Sequence, residues 1–567
     1  MPVKRNFADS LRNADKGSRL SPSAKFSPLP EEPGLSSAHV DTLRFTLGMK
    51  LRKLRRERSL QLSELAGRAG MAVSYLSEIE KGKKFPKPEK LLDLAAALGI
   101  TYDELVSQQV EGSLSEVRSA LDSDWFREFP FHLFGLDTED VFSLVTRDPD
   151  RAGAFLRTFL DIGLTYDLDV EQFLLAALRS YQQLSHNYFE DLELAAEAFR
   201  KSARLSATST PDDAALARLL TARWGYEIDT TTLDRHSELR SLRSLYLTGA
   251  GPGGKPRLLI NGRLLPSQRL YLLAREIGFR HLELTERPLT SSWIRVQSFA
   301  QVLNNFRASY FAGALLIDRE RFGRDLERWF GQPRFDPADI LRLLARYRAT
   351  PETLFHRLTE ILPHRFGLPE LFFLRFTESR EAEGPRLTKL LNLSRVAVPH
   401  GLGLNETYCR RWPALRLLAP ARSERSATLV EASYLRFQGP HGAPGKGPER
   451  PEFLVFTASR PLALNSSARS AVALGLVADE ALQSRLRFAA DPALPRLEVD
   501  LTCERCPLSE RACRERAAPA RLYQARQAQA RRVAAVEELA RASGAALSAA
   551  RLLSAARPLS AARQQQP

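Results

Sequence analysis

This chain of 567 residues has little of several features that assign a protein to a class at once. It contains 4 cysteines, and no apolar run reaches the roughly 18 residues that a membrane-spanning helix needs. The first 34 residues are polar and lack the apolar stretch of a secretory signal peptide. We therefore expect no membrane contact and a cytoplasmic protein, where cysteines are more often thiols or metal ligands than disulfides.

The chain also lacks a glycine-rich phosphate loop. The stretch GAGPGGKP at 249–256 fits neither the dinucleotide-binding nor the P-loop spacing, so it predicts a surface loop rather than a nucleotide-hydrolysing site. Hydrophobic residues nevertheless make up 44% of the chain, which is enough to build real cores. The length predicts several domains.

Positive charge is concentrated rather than spread. The net charge is +15, of which residues 47–84 carry +6, residues 514–567 carry +7 and residues 1–46 carry +2, so the body at 85–513 is neutral. Clustered cations suit phosphate neutralisation, which gives salt-sensitive affinity for nucleic acid. For the C-terminal cluster, a solvated extension that adds only weak attraction is the alternative.

Residues 47–106 carry the clearest pattern. Apolar residues recur at helical spacing, Gly70 falls where a sharp turn must form, and two later helices are predicted at 88–98 and 101–106, with Gly99 as a C-cap. The run LSELAGRAGMAVSYLSEIEKGKKFP resembles the repressor-type helix-turn-helix family. The positions that carry this likeness include Ser77, Ile79, Glu80 and Gly82. The resemblance implies a partner of double-stranded DNA, with one helix in the major groove.

The predicted recognition helix starts near Ala72, which cannot provide an N-cap side chain and so weakens the helix start by about 1 kcal/mol. Side chains of its first turn would meet base edges, and the surrounding cations would meet phosphates. The residues predicted to contact DNA are Arg52, Arg55, Gln61, Val73, Ser74, Tyr75, Ser77, Lys81, Lys83 and Lys84. Leu76 and Ile79 are predicted to be core.

A second resemblance lies at 267–284, which looks like the central helix of the ImmA/IrrE-type zinc peptidases. Their H-E-x-x-H motif binds zinc through two histidines and activates water through the glutamate. The matching positions here are Arg275, Glu276, Ile277, Gly278 and Phe279. Because both histidines are replaced, we predict no enzyme but a scaffold reused for sensing.

The order of features along the chain resembles the short-chain fatty acyl-CoA regulator family of bacterial transcription factors. The stretches that carry it lie at 186–199, 271–282, 309–322, 350–361, 367–376 and 503–519. The resemblance implies regulation of carbon or fatty-acid metabolism with a short-chain acyl-CoA as effector. An aromatic helix at 304–316 and the strand LFFLRF at 371–376 would line an acyl slot, although such aromatics are more often simply core.

The cysteines are the remaining chemical signal. Cys503, Cys506 and Cys513 form C-x2-C-x6-C in an arginine-rich setting, and Cys409 lies in ETYCRRW. A C-x2-C pair lets two thiolates reach one metal centre. The family resemblance implies a four-iron cluster on the four cysteines, while zinc and no metal at all stay open.

The predicted architecture is multi-domain, mainly α, with an α+β C-terminal half. We expect a disordered arm at 1–42, a helix-turn-helix bundle of four or five helices at 43–108, and a helical linker or dimerisation region at 113–245. A degenerate zincin-like domain at 246–365, a mixed α+β domain with the cysteines at 366–518 and a basic tail at 519–567 follow, with a helix expected at about 519–541.

The sequence thus predicts a transcription regulator of the XRE type, working as a homodimer on a palindromic site. The alternative is a protein-binding regulator of the toxin–antitoxin or stress-response type that uses an inactive peptidase-like domain. A redox sensor in which cluster loss controls DNA affinity is a third possibility, compatible with the first.

Overall fold

A computed structural model describes most of the chain, and the residues that it describes fall into two compact units. The first holds 35–107, of which residues 35–43, 45 and 46 are described by backbone alone. The second holds 129–134, 170–206, 208–236, 239–249, 254–290, 298–378, 384–394, 398, 406–419, 426–437, 452–466, 468–504, 506, 508, 513, 514 and five positions between 528 and 535. Each unit is described by itself.

The N-terminal unit is a bundle of helices. They are α1 (Leu35–Glu57), α2 (Leu62–Arg68), α3 (Val73–Glu80), α4 (Pro88–Leu98) and α5 (Tyr102–Val106). The predicted start of α3, the span of α4 and the C-cap are confirmed, since Gly99 takes φ +68°. The predicted arm is wrong from residue 35 onward, because no glycine or proline follows Gly34 before Gly48 and the helix can continue through that segment.

Apolar side chains from all five helices meet in one core. Leu51 of α1, Leu65 of α2, Leu76 and Ile79 of α3 and Leu94 of α4 are all fully buried. The apolar residues that recur at helical spacing in the sequence thus face the interior of the bundle. This confirms the prediction that Leu76 and Ile79 are core.

The second unit carries helices and two sheets. Its helices are α6 (Val170–Leu184), α7 (Glu190–Ser202), α8 (Asp213–Trp224), α9 (Thr232–Arg235), α10 (Pro266–His281), α11 (Phe299–Leu316), α12 (Arg319–Phe330), α13 (Pro337–Arg346), α14 (Pro351–Phe366), α15 (Pro413–Leu418) and α16 (Glu480–Arg485). Its strands are β1 (Glu227–Asp229), β2 (Ser244–Leu247), β3 (Arg257–Ile260), β4 (Leu371–Thr377), β5 (Arg386–Asn392), β6 (Leu429–Phe437), β7 (Glu452–Pro461), β8 (Arg469–Val477) and β9 (Arg496–Val499).

The small sheet shows where the predicted boundary at 245/246 is wrong. Its order is β1-β3-β2, with β1 parallel and β2 antiparallel to β3. The boundary therefore cuts through β2, and it separates α8 from α10, against which α8 packs. The predicted loop at 249–256 lies between two paired strands of one sheet, β2 and β3.

The large sheet has the order β5-β4-β8-β7-β6-β9 and is antiparallel except for the parallel pair β6 and β9. It is buried on both faces. On β4, Phe373 faces the large helical core, whereas Phe372 and Leu374 face a second cluster around Trp412 of the segment before α15. Gly475 of β8 leaves room for the Phe372 ring, because a Cβ there would lie 2.3 Å from it.

The helices and one face of the large sheet share a core, so the predicted boundary at 365/366 is also wrong. Helix α14 packs on β4, β7 and β8. One cluster of buried side chains in mutual contact includes residues from Leu174 of α6 to Leu494 before β9. Residues brought together by this long-range packing are invisible to a division by local composition.

Some predictions lie outside the described residues. These are the N-terminal arm up to residue 34, the stretches 113–128 and 135–169 of the predicted helical region, and most of the basic tail with its expected helix. Across the described ranges, no helix is long and apolar enough to cross a membrane.

Candidate DNA interface and effector cavity

The N-terminal end of α3 is open to solvent. Val73 is 45% exposed, Ser74 is exposed, and Tyr75 and Ser77 are half-buried on either side of the fully buried Leu76. Ala72 is the N-cap and makes no side-chain cap, as predicted. Three of the four predicted base-contacting side chains therefore fall within the first turn of the helix, where a recognition helix meets DNA.

Helix α1 holds α3 in place at two points. A Cβ on Gly48 would lie 2.5 Å from the carbonyl oxygen of Ile79, so only glycine allows this approach of the two backbones. Arg55 donates from Nε and Nη2 to the Glu80 carboxylate at 2.6 and 2.8 Å, and from Nη1 to the Leu60 carbonyl oxygen at 3.0 Å. The predicted phosphate contact at Arg55 is thus corrected: its guanidinium is used inside the domain to fix α3.

The other predicted cations remain at the surface. Lys81, Lys83 and Lys84 are exposed, and Lys84 pairs with Glu78 at 2.8 Å while its ammonium lies 5.7 Å from the Tyr75 ring centroid. Such an exposed pair is weak enough to exchange for a phosphate.

Two further predicted contacts lie on α1 and at the start of α2. Gln61 is exposed, and its backbone N–H donates to Glu64 at 2.7 Å. Arg52 is half-buried, and desolvation together with the nearby Arg56 lowers its pKa. The negative charge of a phosphate near Arg52 would oppose this lowering, so Arg52 stays a predicted phosphate contact.

The second unit contains a cavity of about 270 Å³. Its walls come from α10, α11, α14, β4, β5 and β7. It is lined by Arg243, Gln268, Tyr271, Leu272, Arg275, Ser309, Gly313, Thr350, Glu352, Thr353, His356, Arg357, Glu360, Phe373, Arg375, Lys389 and Arg460. Six of these side chains are cationic and two are carboxylates, so the cavity is strongly positive.

One cationic side chain of the cavity is fully compensated. Arg357 donates to Glu193 at 2.6 and 2.8 Å, to Glu360 at 2.8 Å and to the Ile317 carbonyl oxygen at 3.0 Å. All three charged side chains of this network are buried. Arg357 is therefore a structural anchor between α7 and α14.

Each of the two carboxylates of the cavity, Glu352 and Glu360, has a hydrogen-bond partner within the protein. Glu352 accepts from Arg460 at 2.8 Å, and its pKa is lowered to about 2 because Arg460 and Arg375 outweigh its desolvation. Glu360 also contacts Nδ1 of His356 at 2.9 Å, while burial and the nearby Lys389 lower the pKa of that imidazole. His356 is therefore neutral at pH 7.

A more apolar groove of about 570 Å³ adjoins the cavity and shares Thr350 and Arg460 with it. Its walls include Leu265, Leu270 and Leu344. The two spaces together offer a cationic end and an apolar end.

The residues predicted to line an acyl slot are divided between the core and the cavity. On α11, Phe306, Tyr310 and Phe311 are buried in the core, as the alternative interpretation held. Ser309 and Gly313 of the same helix, and Phe373 of β4, do line the cavity. The basic residues that dominate the cavity were missed, since they are spread from Arg243 to Arg460 and form no motif.

The helix that resembles a peptidase helix holds its glutamate in a closed network. Glu276 is buried and accepts two hydrogen bonds of 2.5 Å from Arg287 and one of 2.5 Å from the Tyr226 hydroxyl. Arg287 is in turn sandwiched between the rings of Tyr246 and Phe279, at 4.0 and 4.1 Å from their centroids. A carboxylate paired in this way cannot serve as a general base.

The four cysteines are all buried. Backbone pairing of Tyr408 with Thr502 brings Cys409 beside Cys503, and the hydrogen bond between their thiols, together with burial, raises the pKa of Cys409. Within the described part of the chain, no group of three or more His, Cys, Asp or Glu side chains is arranged to hold a metal ion. Thiolates are donors that suit an iron–sulfur cluster or zinc, and the thiols of Cys409 and Cys503 are in contact.

Comparison with known proteins agrees with the N-terminal unit. The family described as Helix-turn-helix matches residues 51–105. The HTH-type transcriptional regulator DdrOP3 of Deinococcus deserti is 46% identical over 57 residues, which cover 10% of this chain and 44% of that protein. An uncharacterized HTH-type transcriptional regulator of Sinorhizobium fredii, y4dJ, is 38% identical over 65 residues, 12% of this chain and 84% of that protein.

A longer match reaches into the second unit. The Propionyl-CoA carboxylase regulator of Cereibacter sphaeroides is 23% identical over 350 residues, covering 59% of this chain and 68% of that protein. These relatives, and the exposed first turn of α3 with its flanking lysines, point the same way. The chain belongs to the helix-turn-helix transcriptional regulators, of the XRE type, and binds DNA.

Proposed function

We propose that this protein is a sequence-specific regulator of carbon or fatty-acid metabolism that binds DNA as a homodimer and senses a short-chain acyl-CoA through its second unit. The observation that carries the DNA-binding half is the solvent-open first turn of α3, with Val73 and Ser74 exposed between cationic flanks. Exposed lysines supply general phosphate affinity, and the α3 side chains supply base selection.

The effector half of the proposal rests on the second unit. A cationic cavity that adjoins an apolar groove suits a ligand with phosphates at one end and an apolar acyl chain at the other. A relative matched over 59% of this chain is named a propionyl-CoA carboxylase regulator, which favours an acyl-CoA. A peptidase role is disfavoured, because the Glu276 carboxylate is already paired with Arg287.

Selection of bound duplexes from a randomised library tests the DNA-binding half. We expect the full-length chain to enrich one motif with two-fold symmetry. The double substitution Ser74→Ala and Tyr75→Ala should abolish enrichment but keep salt-sensitive binding to bulk DNA, and Ser180→Ala on the exposed face of α6 should change neither. Equal loss of binding to all sequences in the double variant would contradict the base-contact assignment.

Titration of the enriched duplex with propionyl-CoA tests the effector half. The proposal expects DNA affinity to change at least severalfold with propionyl-CoA and not with free propionate. An unchanged affinity in the presence of propionyl-CoA, acetyl-CoA and butyryl-CoA would refute acyl-CoA sensing.

We also propose that Cys409, Cys503, Cys506 and Cys513 hold a four-iron cluster, with a zinc ion bound by the same thiolates as the alternative. The contact of the Cys409 and Cys503 thiols supports this proposal, because a four-thiol site needs such contacts between its cysteines. When bound, an iron–sulfur cluster would make the site responsive to redox state.

Anaerobic purification with iron, sulfide and zinc analysis tests the cysteine site. Stoichiometric iron and sulfide that are lost in Cys506→Ser would support a cluster, and a change in DNA affinity in the same variant would link it to regulation. Absence of iron, sulfide and zinc from the anaerobic protein would refute the metal site.

A further inference from the structure

The cavity of the second unit is too small for a whole acyl-CoA. At about 270 Å³ it lies just below the roughly 300–1,000 Å³ of sites that enclose drug-sized ligands. It therefore suits a compact group, either a small metabolite or one end of a larger molecule. The chemistry of that group can be inferred from the residues that line the cavity.

The residues around the cavity carry an excess of positive charge. Even when Glu193 is counted as a partner of Arg357, six cations meet only three carboxylates among the described residues of the site. Excess positive charge in a partly desolvated site is costly, and groups perturbed in this way gather at sites where a ligand supplies the opposite charge.

The cations that are not part of the Arg357 network show this cost. Desolvation lowers the pKa of Arg243 to about 10 and the pKa of Lys389 to about 8, and repulsion from the charge of Arg375 contributes to both. Desolvation also lowers the pKa values of Arg275 and Arg375. Each of these four groups would be stabilised in its charged form by an anion between them.

Hydrogen-bonding capacity is available as well. The Nε of Arg275 is buried and has no partner among the described residues, and its Nη1 makes a long bond of 3.3 Å to Asn305. Lys389 is exposed along the edge strand β5, but its ammonium reaches the cavity 5.9 Å from the Phe373 ring centroid. Thr350, Thr353 and Ser309 add hydroxyl groups to the lining.

We propose that this cavity binds a compact oxyanion that carries two or more negative charges, with Arg243, Arg275, Arg375 and Lys389 as its cationic ligands. The group is a phosphate or a small di- or tricarboxylate, whether free or at the end of a larger ligand. This assignment deepens the proposed sensing function by naming the chemistry of its site, but it stands without acyl-CoA.

Isothermal titration calorimetry of the full-length chain at fixed ionic strength tests the site, with citrate, inorganic phosphate and acetate as probes. We expect citrate or phosphate to bind about tenfold or more tightly than acetate. Lys389→Gln on β5 and Arg275→Gln on α10 should each weaken the binding of the polyvalent anion about tenfold. Lys201→Gln, the same change at an exposed lysine of α7, should leave it unaltered.

Competition with propionyl-CoA separates the two sources of the anion. If propionyl-CoA displaces citrate or phosphate and also loses affinity in Lys389→Gln, the cavity holds the anionic end of the thioester. If a polyvalent anion binds and propionyl-CoA neither competes nor binds, the site takes a free metabolite, and the acyl-CoA proposal fails alone.

Two results would overturn the oxyanion site. One is no heat of binding with either citrate or phosphate at millimolar concentration, together with propionyl-CoA binding that is unaffected by Lys389→Gln and Arg275→Gln. The other is anion binding that Lys201→Gln weakens as much as the cavity variants do, which would indicate general charge screening.

Discussion

Two cationic regions of this protein differ in how they are built. On the DNA-binding unit, Lys81, Lys83 and Lys84 are exposed, and water already stabilises their charges. In the second unit, Arg243, Arg275 and Arg375 are half-buried around a cavity, and desolvation lowers their pKa values. Exposed cations suit the binding of a long polyanion such as DNA, with an affinity that falls steeply as salt rises. Desolvated cations suit the binding of one compact anion at short range, where salt screens less.

Each region is supported by buried ion pairs that join two of its helices. Arg55 with Glu80 fixes α1 against α3, and Arg357 with Glu193 and Glu360 fixes α7 against α14. Arginines that support the fold can therefore be distinguished from cationic residues that contact a ligand. Substitution of a supporting arginine should destabilise its unit, whereas substitution of a ligand-contacting residue should only weaken binding.

The largest effect is expected at the supporting network of the second unit. Arg357→Met should lower the free energy of unfolding by about 3–5 kcal/mol, because it leaves Glu193 and Glu360 buried without their partner. Urea unfolding followed by circular dichroism measures it. Arg342→Met, which removes an exposed partner of Asp339 on α13, should produce no measurable change. Equal stability of the two variants would contradict the assignment of Arg357 as an anchor.

The next effect concerns the supporting pair of the DNA-binding unit. Arg55→Met should destabilise that unit by about 2–3 kcal/mol, since three charge-assisted hydrogen bonds are lost and Glu80 stays buried. DNA affinity should fall for all sequences alike, in step with the folded fraction. A fully folded variant with a reduced salt dependence would instead restore Arg55 as a phosphate contact.

A smaller effect is expected at the exposed lysines. Lys83→Ala and Lys84→Ala should leave thermal stability unchanged and should each reduce the slope of log affinity against log salt by about 1. Fluorescence anisotropy with a labelled duplex between low and moderate salt measures the slope. An unaltered slope in the double variant would remove these lysines from the interface.

The smallest effect is a pH dependence of anion binding. Lys389 faces Glu360 and His356 of α14, Arg375 of β4 and the cavity arginines, and its pKa is about 8. Its charge is present below that value and lost above it, so citrate affinity should fall severalfold from pH 7 to pH 9. Because the pKa of His356 is lowered, His356 is neutral throughout this range. Lys389→Gln should remove the pH dependence, and a slope that survives this substitution would exclude Lys389 as its source.

The sequence predicted the helix-turn-helix unit closely because its determinants are local. The apolar spacing, Gly70 and Gly99 act within a few residues of the turns that they shape, and the start of α3 and the span of α4 agree with prediction. What local pattern could not reveal is the role of Arg55, since its partner Glu80 lies 25 positions away in the chain.

In the second unit, single elements were predictable and their assembly was not. The strand LFFLRF at 371–376 and the helix at 304–316 were predicted from their residues, yet the predicted domain boundaries cut through a sheet and a shared core. A boundary depends on which buried faces meet, and composition along the chain carries no information about that.

The sequence by itself therefore determined the DNA-binding helices and the side chains that they present, because helix periodicity and turn chemistry act over short distances. Only the tertiary structure decided that Arg243 and Arg460, separated by more than 200 positions, line the same cavity, and that Glu276 is closed off by Arg287. Contacts of this kind arise when distant apolar faces are buried together, and the charged side chains at their margins then converge on one space.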